Sequence, residues 1–172
     1  VEDERVEVVN KSLFDVTKED IADCDVMISA YGSGFDADPT LNHKAFLKYI
    51  ELNEGTKRHL IAIGGAGSLF TDSTHTTYCY ETPEHPDFLR EISKNIKLGI
   101  DELKKTSDVN WTVVCPSSFF DSEGALTGNY EIGTEEQVIF NEAGESRVTY
   151  EDLAMAMLDI AEADNYNQKQ IT

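Results

Sequence analysis

With 172 residues, 40% of them hydrophobic and 27% charged, the chain is long enough for one domain with a sizeable core and too short for two ordinary ones. Its formal net charge of -19, from 14 basic and 33 acidic side chains, argues against nucleic acid and anionic membrane as partners, because both need a basic footprint. The acid excess reads as a solvated surface, with a salt-adapted source as the other explanation.

Along the chain the hydrophobic period alternates between strand and helix. Val6 to Val9 reads as a short strand, and Thr17 with Asp20 three residues later reads as a capping box opening a helical turn. Residues 25–30 form a mostly apolar run, as in a strand covered on both faces, and Tyr31-Gly32-Ser33-Gly34 breaks it. Asp38-Pro39 predicts a helix start with proline at the first helical position, and Gly55 a stop after about Asn53. His59 to Gly64 is the next predicted strand. A long loop rich in Thr, Ser and Pro follows to Pro86, long enough to expect a lid or binding loop.

Leu89, Ile92, Ile96, Ile100 and Leu103 recur at helical spacing, so residues 87–106 are the longest predicted helix. Trp111 to Cys115 is a strand ended by Pro116. Tyr130-Glu131-Ile132 and Val138-Ile139-Phe140 flank a polar turn and predict a hairpin. Thr149 with Asp152 is a second capping box, opening a helix through about Ala163, and Gln170-Ile171-Thr172 is a candidate last edge strand. Strands separated by helices predict an α/β fold, a parallel sheet with helices on both faces. One domain spans 1–172, with 117–172 as a small substrate-side lobe. Cys24, Cys79 and Cys115 are scattered and form no Cys-x-x-Cys pair. That usage, with no membrane-length apolar run and no readable secretory leader, leads to the expectation of a cytoplasmic location.

In open α/β sheets ligands sit beyond the carboxyl ends of the strands. Four segments lie there: 13–15, 30–34, 64–68 and 116–120. Three are rich in Gly, Ser or Ala, which lets a ligand approach the backbone; ordinary turn chemistry gives the same composition. Gly32, Gly34 and Ala37 match the G-x-G-x-x-A variant of the dinucleotide fingerprint, yet the following strand ends in Ile63-Gly64-Gly65 with no acidic residue for a ribose hydroxyl.

These segments together carry a family resemblance. Val8 to Asp15, Asp25 to Gly32, Ile63-Gly64-Gly65-Ala66-Gly67-Ser68-Leu69, Asn110-Trp111-Thr112 through Pro116 to Phe120, and Gly144-Glu145-Ser146-Arg147 running into Glu151-Asp152-Leu153-Ala154 are the carriers. In them the chain resembles the atypical short-chain dehydrogenases of the NmrA-like and biliverdin-IXβ/flavin reductase kind. The resemblance implies a Rossmann-like doubly wound parallel sheet and a cofactor of NADP or NAD. It also implies an opening strand, a G-x-x-G-x-x-G turn, a helix and a second strand, so the chain is expected to begin at the third strand with the N-terminal strands absent. A sheet edge left bare in that way predicts self-association, for instance as a homodimer, or poor stability.

By the same resemblance, Lys11-Ser12 stand where the family has Gly-Asp beside adenine, so Ser12 and Leu13 are the adenine-side candidates. Ala30, Tyr31 and Gly32 would pass along the adenosine ribose. Gly64, Gly65, Pro116, Ser117, Ser118 and Phe119 would frame the nicotinamide. The choice of NADH or NADPH is made at the end of the family's second strand and is not readable here.

Catalytic candidates follow from spacing. The family's Tyr-x-x-x-Lys pair would put lysine at Lys97 and tyrosine at residue 93, which is Ser93. A serine hydroxyl is a poor general acid, so carbonyl reduction through a tyrosine is not expected, and Lys97 can equally be a solvated helix lysine. Ser68, just past the glycine turn, is the side chain expected nearest a substrate, or else a turn serine. Tyr78, Tyr80 and His85 could stack on a planar substrate or be surface aromatics, and Phe119 and Phe120 could wall a pocket or belong to the core. His75, Cys79 and His85 match no standard zinc spacing, so no metal is expected. The reading is an NAD(P)H-dependent reductase of a flavin, quinone or similar planar acceptor; the alternative is a non-catalytic NAD(P)-binding redox sensor.

Overall fold

The computed structural model describes residues 3–163 and 165–172. Four parallel strands, β1 (Val26–Ser29), β2 (His59–Ile63), β3 (Asn110–Val114) and β6 (Lys169–Ile171), form one sheet in the order β1-β2-β3-β6. The register aligns the carboxyl ends: Ser29 pairs with Ala62, Ile63 with Val114, and Val114 with Ile171. Two further strands, β4 (Phe119–Asp121) and β5 (Arg147–Thr149), make a small parallel pair beside it.

Alternation along the strands divides the core into two layers. Leu60, Ala62, Trp111 and Val113 face α1 (Thr40–Asn53) and α2 (Asp87–Lys104), meeting Phe46, Tyr49, Ile100 and Leu103. Ile61, Val114 and Ile171 face α3 (Tyr150–Ala163), meeting Leu153, Met157 and Ile160. The doubly wound α/β fold is therefore formed, with helices on both faces. Gly99 lets α1 and α2 close on each other, since a Cβ there would lie 2.5 Å from the Phe46 ring. At the Ser29 end of β1, burial pushes the Tyr49 phenol up to about 12, while Ser29 Oγ donates to it at 2.7 Å.

Local chemistry sets the helix ends. Asp38 Oδ1 accepts from the Thr40 amide at 2.9 Å with Pro39 already in helical geometry, and Gly55 closes α1 in the left-handed region at φ +73. At the start of α3, Thr149 plays the corresponding part: its Oγ1 accepts from the Asp152 amide at 3.0 Å.

Two expected elements are absent among the described residues. Val6 to Val9 forms no strand; with no ladder alongside, it makes only local turns, and Val8 is 74% exposed. The hairpin at 130–140 does not form either, because its two halves find different partners. Gly133 exchanges both backbone hydrogen bonds with Thr172, at 2.7 and 2.9 Å, whereas the Val138 amide donates to Phe70.

A buried arginine that sequence reasoning missed ties the β1 entry to α1. Arg58 donates to the carbonyls of Cys24 and Leu52, each at 3.0 Å, and of Ile21 at 2.5 Å. β1 is one edge of the described sheet, opposite β6, and Ile28 on it is 45% exposed. No described helix is long and apolar enough to cross a membrane.

Candidate active site at the carboxyl edge

Three of the sequence-predicted segments meet along the carboxyl ends of β1, β2 and β3. Ala30 and Gly32 are exposed and Tyr31 is half-buried. Gly64, Gly65 and Ala66 are half-buried, as is Ser117, while Ser118 and Phe119 are exposed and Pro116 is buried. A fourth segment joins from the side of α1: the exposed Ser12 caps a short turn over Leu13–Asp15 by accepting from the Phe14 amide, and the Phe14 ring packs edge-on against Tyr31 at 5.7 Å.

The glycines of this edge do different work. A Cβ on Gly64 would lie 2.7 Å from Cys115 Sγ and 2.8 Å from Val113, so Gly64 lets β2 end against β3. Gly67 is filled from α2, with the Ser93 side chain standing where a Cβ would go. Gly32 faces open space, with nothing within 4 Å, and Gly65 meets only the tip of Ile96 at 3.4 Å. Gly34, at φ +79, turns the chain into α1, and Asn42 pins that turn by bonding Ser33.

The catalytic candidates are buried behind or beside this edge. Ser68 is 1% exposed; its hydroxyl donates to the Gly65 carbonyl at 2.8 Å and contacts Cys115 Sγ, while Gln170 Nε2 donates to its carbonyl at 3.1 Å. Ser68 thus braces the glycine turn against β6. Burial pushes the Cys115 thiol up, which keeps it protonated and unreactive.

Lys97 and Ser93 are both buried beneath the long loop. Lys97 Nζ donates to Asp101 at 2.5 Å and lies 4.6 Å from the centroid of the Tyr78 ring. Burial alone would lower its pKa, but Asp101 and Tyr78 raise it above the ordinary lysine value. Ser93 Oγ lies 3.1 Å from His85 Nε2, a pair the sequence named separately without joining. Burial and the nearby Arg90 hold His85 below the usual histidine value.

Tyr78 and Tyr80 belong to a ring stack within the loop. His75 lies on Phe70 at 4.6 Å, Phe70 on Tyr78 at 4.3 Å, and Tyr78 on Tyr80 at 5.8 Å. Arg90 of α2 fastens this loop, donating to the carbonyls of Tyr80, of Thr82 at 3.2 Å and of His85 at 3.0 Å. Among the described residues no group of three or more His, Cys, Asp or Glu is placed to hold a metal.

Past Ser117 the surface opens into a groove of about 300 Å³ between β5 and the 127–141 segment. Phe120 stacks on Tyr150 at 3.9 Å and Phe119 lies under the Arg147 guanidinium at 5.3 Å. Asp152, missed as more than a cap, accepts from Thr127 Oγ1 at 2.8 Å and from the Gly128 amide at 2.9 Å, fixing one wall.

The edge fits the nucleoside ends of a dinucleotide, offering backbone without obstructing side chains at Gly32 and Gly65. Segments 30–34, 64–68 and 116–120 contain no Lys or Arg, so any phosphate there would rely on backbone N–H groups.

Comparison with known proteins shows the family. A family model described as NAD(P)H-binding matches residues 1–164. YwnB of Bacillus subtilis (strain 168), an uncharacterised protein, is 33% identical over 173 residues, spanning 100% of this chain and 80% of YwnB. The crystal structure of SP1627 from Streptococcus pneumoniae TIGR4, provisionally assigned as an NADH-flavin reductase, is 32% identical with a TM-score of 0.91, covering 99% of this chain and 81% of SP1627. Oxidoreductase ylbE from Lactococcus lactis shares the fold at 21% identity and a TM-score of 0.69, over 98% of this chain and 71% of its own. This chain belongs to the NAD(P)H-binding family, and its cofactor is NAD or NADP.

Proposed function

We propose that the protein is an NAD(P)H-dependent reductase of a planar acceptor, a flavin or quinone. The observation that carries this reading is what stands on the buried face of α2. Position 93 is a serine bonded to His85, and Lys97 pairs with Asp101, so this face offers a carbonyl substrate no tyrosine acid. SP1627, similar over nearly the whole chain, carries a provisional flavin-reductase assignment.

Bound NAD(P)H would supply a hydride which, with one proton taken from water, brings a quinone or flavin to its dihydro form. The chain's own task is then to orient two rings and exclude water. In this reading Ser12, Leu13, Ala30, Tyr31 and Gly32 flank the adenosine, and Gly64, Gly65 and residues 116–119 flank the nicotinamide. Ser68 acts as a brace for the turn. The acceptor lies beyond Ser117, next to Phe120.

The test is consumption of NADH and of NADPH with a naphthoquinone, a riboflavin and a simple ketone. Turnover with the planar acceptors and none with the ketone is expected. Ketone reduction would overturn the reading, and tight cofactor binding without turnover of any acceptor would favour the redox sensor.

A further inference from the structure

The groove past Ser117 has a composition that selects among planar acceptors. Its volume is about 300 Å³, the scale of one small ring system. Ile139, Phe140 and Val148 give it apolar wall, and Phe140 is among the exposed large hydrophobics. Its charged lining is three carboxylates, Glu131, Glu145 and Asp152, against one guanidinium, Arg147.

That single cation is already engaged. Arg147 is ion-paired with the buried Asp121 and rests over the Phe119 ring. The Arg147 guanidinium and the Glu123 amide hold the Asp121 carboxyl below the usual carboxylate range. Asp152 also keeps its charge: burial would raise its pKa, but bonds from Thr127 and Gly128 hold it low. The groove is therefore net negative at neutral pH, within a chain whose formal charge is -19.

We infer that this groove is the acceptor site and that it selects an acceptor without a phosphate, a quinone or riboflavin rather than FMN. The inference rests on the reductase reading for its ligand class. The phosphate of FMN adds about two negative charges to the same ring system. In the groove it meets three carboxylates and a guanidinium already paired, with repulsion screened only over roughly 8 Å at physiological salt. The neutral ring meets none of that repulsion and keeps the apolar contact.

Riboflavin and FMN share one fluorophore, so titrating the whole chain into each and following flavin fluorescence isolates the phosphate. At low salt riboflavin is expected to bind about tenfold or more tightly than FMN, as repulsion between close like charges requires. The gap narrows as salt is added, and in the variant E131Q/E145Q the ratio of riboflavin to FMN affinity falls toward one. FMN binding as tightly as riboflavin, or no binding of either, overturns the inference. Selective riboflavin binding without NAD(P)H consumption would retain the selectivity and remove the reductase reading. Consumption with FMN preferred would do the reverse.

Discussion

The two flanks of the β2 carboxyl end are built in opposite ways. On the α2 flank, titratable and aromatic side chains crowd together and satisfy one another: Lys97 with Asp101 and Tyr78, Ser93 with His85, Arg90 with three loop carbonyls. On the other flank, residues 30–32, 64–66 and 117–118 offer mainly backbone, half-buried or exposed. The side chains that look most chemical thus hold a loop in place. In the proposed reading, ligand contact falls to segments whose merit is the absence of side chains.

The largest expected effect separates two glycines of that edge. Gly64→Val places new atoms against Cys115 and Val113 and should cost about 1–3 kcal/mol, read as a drop in Tm. Gly32→Ala, with nothing within 4 Å, should melt with the parent. Equal melting of both variants and the parent would erase the distinction between a packing glycine and an open one.

Next in size is the loop clamp. Arg90→Ala strands carbonyls of Tyr80, Thr82 and His85 and should destabilise by roughly 1–2 kcal/mol. Limited proteolysis should then cut within 70–86 faster than in the parent. Unchanged cleavage would mean that Arg90 does not hold the loop.

Lys97→Gln sharpens the comparison on the catalytic side. Turnover of a planar acceptor should change by less than about threefold, whereas loss of a general-acid partner costs roughly a hundredfold or more. The larger loss would move Lys97 into the reacting centre.

The smallest effect is in pH dependence. The folded pKa of His85 lies below the ordinary histidine value, so the unfolded chain binds a proton that the folded one refuses. The stability that His85 contributes is full above the unfolded value of about 6.5 and is lost as pH falls through the window down to the folded value. Tm should fall across that window, and His85→Asn should flatten the slope attributable to this group.

Much of the frame was legible because its signals are local. Asp38-Pro39 and Gly55 bound α1, Thr149 opens α3, and apolar runs mark β1, β2 and β3. What escaped depends on partners far along the chain. Ser68 is the side chain expected nearest a substrate, but it is buried against Gln170, about a hundred residues away in sequence. The 130–140 hairpin failed because Thr172 and Phe70 compete for its backbone, and β4 pairs with β5 across the intervening loop. Of the site, the edge segments were readable as Gly- and Ser-rich strand ends. The charge of the groove was not, since Glu131, Arg147 and Asp152 converge only in the fold.

The most direct test of the account titrates the protein with NADH and NADPH while following fluorescence of Trp111, the single tryptophan. It does so in parallel for Gly32→Asp, which sets a carboxylate in the open part of the edge. Saturable micromolar binding by the parent, weakened at least about tenfold in the variant at unchanged Tm, is the predicted result. No saturable binding, or equal binding by both proteins, would contradict a cofactor site along the carboxyl edge.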